Sequence, residues 1–295
     1  MKKNLLLAII AIFVAACSNE YEIKNVVNNN VLVPVRVHVD GFSVNQEDFP
    51  TTRAAQDVAN YNDVNAVTLA FYKADGTEAY KHEQLKSDNT TFTSFGEYEC
   101  SLPMGTYTMV VLAYYTNENS ILTLSSSTEA SFNVRARETF AYTQEVLLSN
   151  TEAVDISATL SRIVSMLTVK SSDGKTADVT NVRMTFSAGG KDFNPTTGLA
   201  ITNTGFANTV GNSAAVGATS TSSTVLFLNT DEQDIDVTIE TLDADGAVLF
   251  SKTVTNVPFK RNRKTILTGA MYSNEALSGT FQVNTDWLTE ENGSF

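Results

Sequence analysis

The chain has little of the material from which metal centres and disulfide frameworks are built. Among its 295 residues are two histidines, two cysteines and one tryptophan. It is also poor in basic residues, since 20 Lys and Arg stand against 33 Asp and Glu and give a net charge of −13. Such an acidic surface repels phosphate, so we expect no nucleic-acid partner. A hydrophobic content of 42% excludes an intrinsically disordered chain.

Patterns that carry catalysis or hold a cofactor are equally scarce. The two histidines, His38 and His82, have no cysteine or carboxylate at a metal-ligand spacing. The glycines at 205, 211 and 217 are too far apart for a phosphate-binding loop. Ser187 is not followed by the helix that a nucleophile elbow requires. We therefore expect a protein that is not an enzyme and that holds no metal and no cofactor.

The longest apolar run lies near the start of the chain, where Leu5–Val14 follow two lysines. Ten residues are too few for a transmembrane helix, which takes about 20, but they fit the apolar part of a secretory signal. The junction Ala15-Ala16-Cys17 is typical of a bacterial lipoprotein, so we predict that residues 1–16 are removed and that Cys17 is acylated. More than one acyl chain gives a stable membrane anchor. The alternative is a plain signal peptide with a chance cysteine.

A strand with one buried face is predicted directly after a polar tether, residues 17–30. Valine occupies every second position from residue 31 to 39, with Leu, Pro, Arg and His between. A period of two over nine residues indicates a strand whose valine face is buried. Pro34 has no N–H to donate, which predicts that this strand lies at a sheet edge or pairs along one side only. The valine face consists of Val31, Val33, Val35, Val37 and Val39.

Short strands separated by Gly, Asp and Asn turns continue to the end of the chain, without a convincing amphipathic helix of three turns. This spacing is typical of β-sandwiches. We predict an all-β fold of two tandem sandwiches, residues 31–152 and 153–295. The segments Leu69–Gly76 and Ile239–Gly246 share one residue pattern, which reflects either an internal repeat or the same solution to making a hairpin.

Several segments of the mature chain resemble Bacteroidetes fimbrillin-type proteins, the subunits of type V pili. The resemblance implies two transthyretin-like β-sandwich domains and a structural subunit of surface fimbriae that is exported as a lipoprotein to the outer membrane. In stalk subunits of that family an arginine-specific protease cuts a loop after the first strand, and a C-terminal strand of a neighbouring subunit fills the groove. Anchor subunits keep their lipid. The similar segments are Leu102–Val110, Leu160–Val164, Val257–Gly269 and Phe281–Trp287.

The processing site implied by this resemblance is the bond between Arg53 and Ala54. These residues follow the valine strand in a polar stretch, whereas Arg36 lies inside the strand. Removal of the strand would expose an apolar groove, and another subunit's strand would fill it. The alternative is that Arg53 is only an exposed loop residue.

The candidate donor strand lies in residues 280–287, which otherwise form an ordinary last strand of the second sandwich. The expected partners are other fimbrial subunits, an arginine-specific protease and the outer membrane. A lipid-retaining fimbrial anchor and a surface glycan-binding lipoprotein are the alternative functions. The residues proposed for the donor strand are Phe281, Val283, Thr285 and Trp287.

Overall fold

The computed structural model describes residues 31–43, 58–88, 90, 92–273 and 282–284. These residues form strands β1 to β19 and one short 3-10 helix, Val58–Asn60. The all-β prediction is therefore confirmed. Within the described part of the chain no helix is long and apolar enough to cross a membrane.

The first half of the chain is a rolled sheet of seven strands, in the order β3-β2-β5-β8-β9-β1-β4. The roll places the valines of β1 in one core with β2 and β5. Gln84 links the two end strands, because its Nε2 donates to the carbonyl of Glu97 (2.7 Å) and its Oε1 accepts from the N–H of Gly96 (2.8 Å). The strands are β1 Leu32–Ser43, β2 Ala66–Lys73, β3 Glu78–Leu85, β4 Glu97–Pro103, β5 Gly105–Tyr114, β6 Leu122–Ser126, β7 Glu129–Phe132, β8 Thr139–Leu148 and β9 Val154–Arg162.

The second half is a sandwich of two four-stranded sheets, β15-β10-β18-β19 and β14-β11-β16-β17. Leu167, Met184, Ile239 and Leu267 belong to the core between them. Its strands are β10 Ser165–Ser171, β11 Asn181–Phe186, β12 Asp192–Asn194, β13 Leu199–Ala200, β14 Phe206–Gly211, β15 Thr221–Leu226, β16 Glu232–Leu242, β17 Val248–Lys260, β18 Lys264–Gly269 and β19 Gln282–Asn284.

The two halves repeat one pairing scheme. β1 lies between antiparallel β4 and parallel β9, and β10 lies between antiparallel β15 and parallel β18. β2 pairs with β3 and β5, as β11 pairs with β14 and β16. The segments Leu69–Gly76 and Ile239–Gly246 are not equivalent in this scheme, because they form the β2–β3 and β16–β17 turns. Their likeness is a shared hairpin chemistry, with Gly76 and Gly246 each at φ +83°.

A fourth sheet joins the halves, in the order β13-β12-β7-β6. β6 and β7 are inserted after β5 in the first half, and β12 and β13 after β11 in the second. Asp192 pairs with Ser131 and Phe193 with Ala130 across the junction. Phe193 stacks on Phe227 with ring centroids 4.1 Å apart. The halves therefore share a hydrophobic core as well as a sheet.

The division between the halves differs from the one expected from sequence. β9, which begins the predicted second sandwich, pairs with β1 and β8 of the first sheet. The buried side chains of Ala158 and Leu160 complete the first core. The strands of the first half thus run to Arg162 rather than to residue 152, because a parallel partner leaves no local turn signal in the sequence.

Arg162 links the halves from a buried position, with 8% of its surface exposed. Its Nε donates to Glu138 (2.5 Å), Nη1 to Asn262 (3.1 Å) and Nη2 to the hydroxyl of Tyr61 (2.7 Å). The guanidinium also lies 4.9 Å from the ring centroid of Phe140. Asn262 belongs to the second half, so a single cation holds groups from both.

We expect Arg162→Ala to lower the free energy of unfolding by about 3–5 kcal/mol, because it leaves the carboxylate of Glu138 buried without its cation. Chemical denaturation measures the loss. The matched control is Arg36→Ala, which breaks exposed ion pairs with Glu99 and Asp155 and should cost less than about 1 kcal/mol. Equal losses in the two variants would contradict this role of Arg162.

Candidate functional site

The first strand, β1, presents a buried apolar face and an exposed polar one. Val33, Val35, Val37 and Val39 are 0–2% exposed and belong to the core of the first half. Their predicted burial is confirmed, whereas Val31, just before the strand, is only partly buried. β1 is thus inserted in the wall of a closed core.

Both edges of β1 are paired. Seven residue pairs join it to β4, from Leu32 with Pro103 to His38 with Glu97. Eight pairs join it to β9, beginning at Val35 with Val154. The expectation of an edge strand is therefore wrong. Pro34 is tolerated because the pairing with β9 begins only at the next residue, Val35. Its missing N–H therefore leaves no acceptor of β9 without a partner.

Close packing fixes the end of the β1–β4 ladder. The N–H of Val39 donates to the carbonyl of Gly96 at 3.1 Å. Gly96 has φ +91°, and a Cβ at this position would lie 2.8 Å from Cγ1 of Val58 and 3.3 Å from Cβ of Val39. Only glycine satisfies both the backbone conformation and the available space.

Ion pairs cross the exposed face of β1. Nε of Arg36 lies 3.2 Å from Glu99 of β4, and its Nη1 lies 3.5 Å from Asp155 of β9. Nε2 of His38 lies 2.9 Å from Asp40, and its Nδ1 contacts Glu97. These groups are largely exposed, so each pair contributes less than about 1 kcal/mol.

Burial of the valines holds β1 in place more strongly than these charges do. At roughly 1.5 kcal/mol for each fully buried valine, the four contribute about 6 kcal/mol, as an upper figure. Whole domains are stable by about 5–15 kcal/mol. The free energy that retains β1 is therefore comparable with the stability of a domain.

Cys100 lies on β4 opposite Val35 and packs against the same core. It is the only free cysteine among the described residues. Burial raises its pKa to about 11, so the thiol is almost entirely protonated at neutral pH and is a poor nucleophile. Cys100 thus lies beside β1 in the same sheet, as the direct neighbour of Val35.

The remaining predicted site residues fall mostly outside the described part of the chain. Cys17, the cut site Arg53-Ala54 and three donor-strand residues, Phe281, Thr285 and Trp287, all lie outside it. Val283 lies in β19, whose backbone pairs with that of β18 opposite Leu267. The structure thus describes the first strand with its neighbours β4 and β9, together with residues 282–284 of the candidate donor strand.

Other kinds of site have little support in the described residues. No group of three or more metal-binding side chains occurs among them. Every aromatic side chain whose exposure the structure describes is buried or partly buried, whereas a stacking platform for sugars needs an accessible ring. The feature with the clearest functional geometry is accordingly β1 in its place between β4 and β9, with its valine face in the first core.

Comparisons place this architecture among known proteins. A family model described as a family of unknown function (DUF6562) matches residues 29–293. No curated protein sequence matches the chain significantly.

Several solved structures align over most of the chain at low sequence identity. A candidate adhesin from Bacteroides ovatus aligns with a TM-score of 0.53 and 12% identity, over 86% of this chain and 94% of its own. A candidate adhesin from Bacteroides thetaiotaomicron gives 0.51 and 10%, over 86% and 96%. The fimbrial anchor protein Mfa2 from Porphyromonas gingivalis gives 0.48 and 9%, over 80% and 90%. At these identities the first two alignments establish a common fold.

Proposed function

We propose that this chain, which belongs to the DUF6562 family, is a structural subunit of bacterial surface fimbriae that assembles by exchange of its first strand. The observation that supports this most is the fully buried valine face of β1, paired along both edges. The two structures that share the fold are described as candidate adhesins of Bacteroides, which is consistent with a role at the cell surface.

Cleavage between Arg53 and Ala54 would turn β1 into a removable strand. Residues 44–57 connect it to the rest of the chain, so after the cut only non-covalent contacts retain it. When β1 leaves, the backbone groups of β4 and β9 that paired with it lose their partners, and an apolar groove is exposed between the two strands. A strand from another subunit restores the pairing and fills the groove, as in donor-strand complementation.

The strand that fills this groove has to alternate apolar and polar side chains, as β1 does. The C-terminal segment offers Phe281 and Val283 at alternate positions, followed by Thr285 and Trp287. We assign it as the donor to the next subunit. Within the described residues it pairs with its own β18 at Gln282, Val283 and Asn284, and strand exchange would replace this pairing with the ladder of the groove.

Acylation of Cys17 would carry the subunit to the outer membrane, where assembly takes place. In a stalk subunit the cut after Arg53 removes the lipid together with β1. A subunit that keeps this bond intact stays attached to the membrane and serves as the anchor. One cleavage event thus separates the two roles.

Treatment of the purified full chain with an arginine-specific protease tests the proposal. We expect a new N-terminus at Ala54 by mass spectrometry and a ladder of oligomers by electrophoresis without boiling. Arg53→Ala should remain intact and monomeric, and Arg36→Ala should be processed normally. A chain truncated after residue 279 should be cut without forming a ladder. Cleavage of the unaltered chain that yields only monomers would refute strand exchange.

A further inference from the structure

A cavity of about 360 Å³ lies between the two halves of the chain, away from β1. One wall is the segment between β7 and β8, with Arg135 and Arg137, together with Tyr115, which directly follows β5. The opposite wall comes from β10 and β15 of the second half and includes Met166 and Ser223. Cavities of about 300–1,000 Å³ are typical of small-molecule sites.

The two arginines in this cavity lack the partners that cations normally have. Neither forms an ion pair within the described residues. Nε of Arg137 is buried and has no hydrogen-bond acceptor in the part of the chain that the structure describes. The nearby carboxylate of Glu138 is already engaged by Arg162. A buried donor without an acceptor is unfavourable, so the guanidinium of Arg137 is incompletely satisfied by the protein around it.

The position of Arg137 is fixed by its surroundings. Its guanidinium carbon lies 5.3 Å from the ring centroid of Tyr115, and its carbonyl accepts from the hydroxyl of Thr139 (2.8 Å). Burial and the charge of Arg135 lower the pKa of Arg137, which means that its cation is both partly desolvated and repelled. A bound anion relieves both effects.

We propose that this cavity binds a small oxyanion, a carboxylate or a sulfate group, through the guanidinium groups of Arg135 and Arg137. Arginine is suited to such ligands because its planar N–H fork matches two oxygens at once. Ser223 lines the wall of the second half, and its hydroxyl forms a hydrogen bond with that of Thr168 (2.9 Å). Asp63, exposed and also lining the cavity, disfavours anions by its charge. No residue of β1, β4 or β9 takes part, so this site is independent of strand exchange.

Titration calorimetry on the purified full chain tests the site, with sodium sulfate, glucuronate and neutral glucose as probes. We expect saturable binding of one or both anions, and none of glucose. Arg137→Gln or Arg135→Gln should weaken binding at least tenfold, and Arg137→Lys about tenfold because the fork is lost. Asp63→Asn should tighten it a few-fold. Arg183→Gln, which alters an arginine already paired with Glu240, is the matched control and should leave binding unchanged.

Each outcome decides a specific point. Binding of sulfate alone or of glucuronate alone identifies the oxyanion that the site prefers. Binding of both indicates that the guanidinium groups recognise any small oxyanion by its negative charge and its paired oxygens. Weaker binding at about 300 mM than at about 50 mM salt is expected for a charge-driven contact. The melting temperature of every variant is measured, and the lysine variant keeps the test valid if a glutamine variant unfolds. Absence of binding, equal binding of glucose, or binding unaffected by both arginine variants would overturn the site.

Discussion

Cleavage after Arg53 and removal of β1 should make Cys100 react about 20-fold faster with a thiol reagent at about pH 8. With a pKa of about 11, roughly 0.1% of the buried thiol is ionised at that pH, and the fraction rises about 200-fold if the pKa returns to its ordinary value near 8.5. A thiolate of lower pKa is intrinsically less nucleophilic, by about tenfold over this range. The product of the two effects gives the expected gain, to which loss of the steric cover by Val35 adds.

The rate is measured in a Cys17→Ser chain, in which Cys100 is the only thiol. In the intact protein it should increase about tenfold per pH unit up to about pH 11, whereas the β1-free protein should level off above about pH 9. Protease-treated Arg53→Ala, which keeps β1, is the matched control and should stay slow. An unchanged rate after β1 has demonstrably left would show that β1 does not cover Cys100.

A chain that begins at Ala54 should melt about 12–24 °C lower than the intact chain. The four buried valines contribute about 6 kcal/mol, and each kcal/mol shifts the melting temperature of a chain of this size by about 2–4 °C. A synthetic peptide of residues 31–43 should restore most of the loss, since it refills the apolar groove and both backbone ladders. Calorimetry with and without excess peptide measures both effects.

Two peptides of equal length separate burial from charge. Substitution of Val35 and Val37 by Asp places carboxylates against the core and should abolish the rescue, because each buried unpaired charge costs several kcal/mol. Substitution of Arg36 and His38 by Ala alters only the exposed face and should leave the rescue nearly intact. Two results would mean that β1 is not a removable part of the core. One is a rise in melting temperature with the Asp peptide, and the other is an equal melting temperature for the shortened and the intact chain.

The sequence was most informative where one strand carries its own pattern. Alternation of valine from residue 31 to 39 predicted a strand and its buried face, because a half-buried strand imposes a period of two whatever its neighbours are. The hairpin turn at Gly76 was equally local, since its Asp-Gly pair fits the required backbone conformation. The all-β class followed from the sum of such segments.

Sequence reasoning failed where partners are distant along the chain. Pro34 suggested an edge strand, but the pairing of β1 with β9 brings together residues more than 100 positions apart, and no local pattern encodes it. The sheet that joins the halves depends on two short insertions, which look like loops until they meet. The cavity beside Arg137 forms only where the segment between β7 and β8 meets β10 and β15, so no local pattern in the sequence encodes it.

The joint between the halves also bears on mechanics. Because the inserted strands share a sheet and Arg162 holds groups from both sides, the molecule resists hinge bending and twisting about its middle. In a fibre of such subunits, each subunit would therefore transmit tension with little internal deformation. If the subunits are joined by strand exchange as proposed, compliance is concentrated at the contacts between successive subunits.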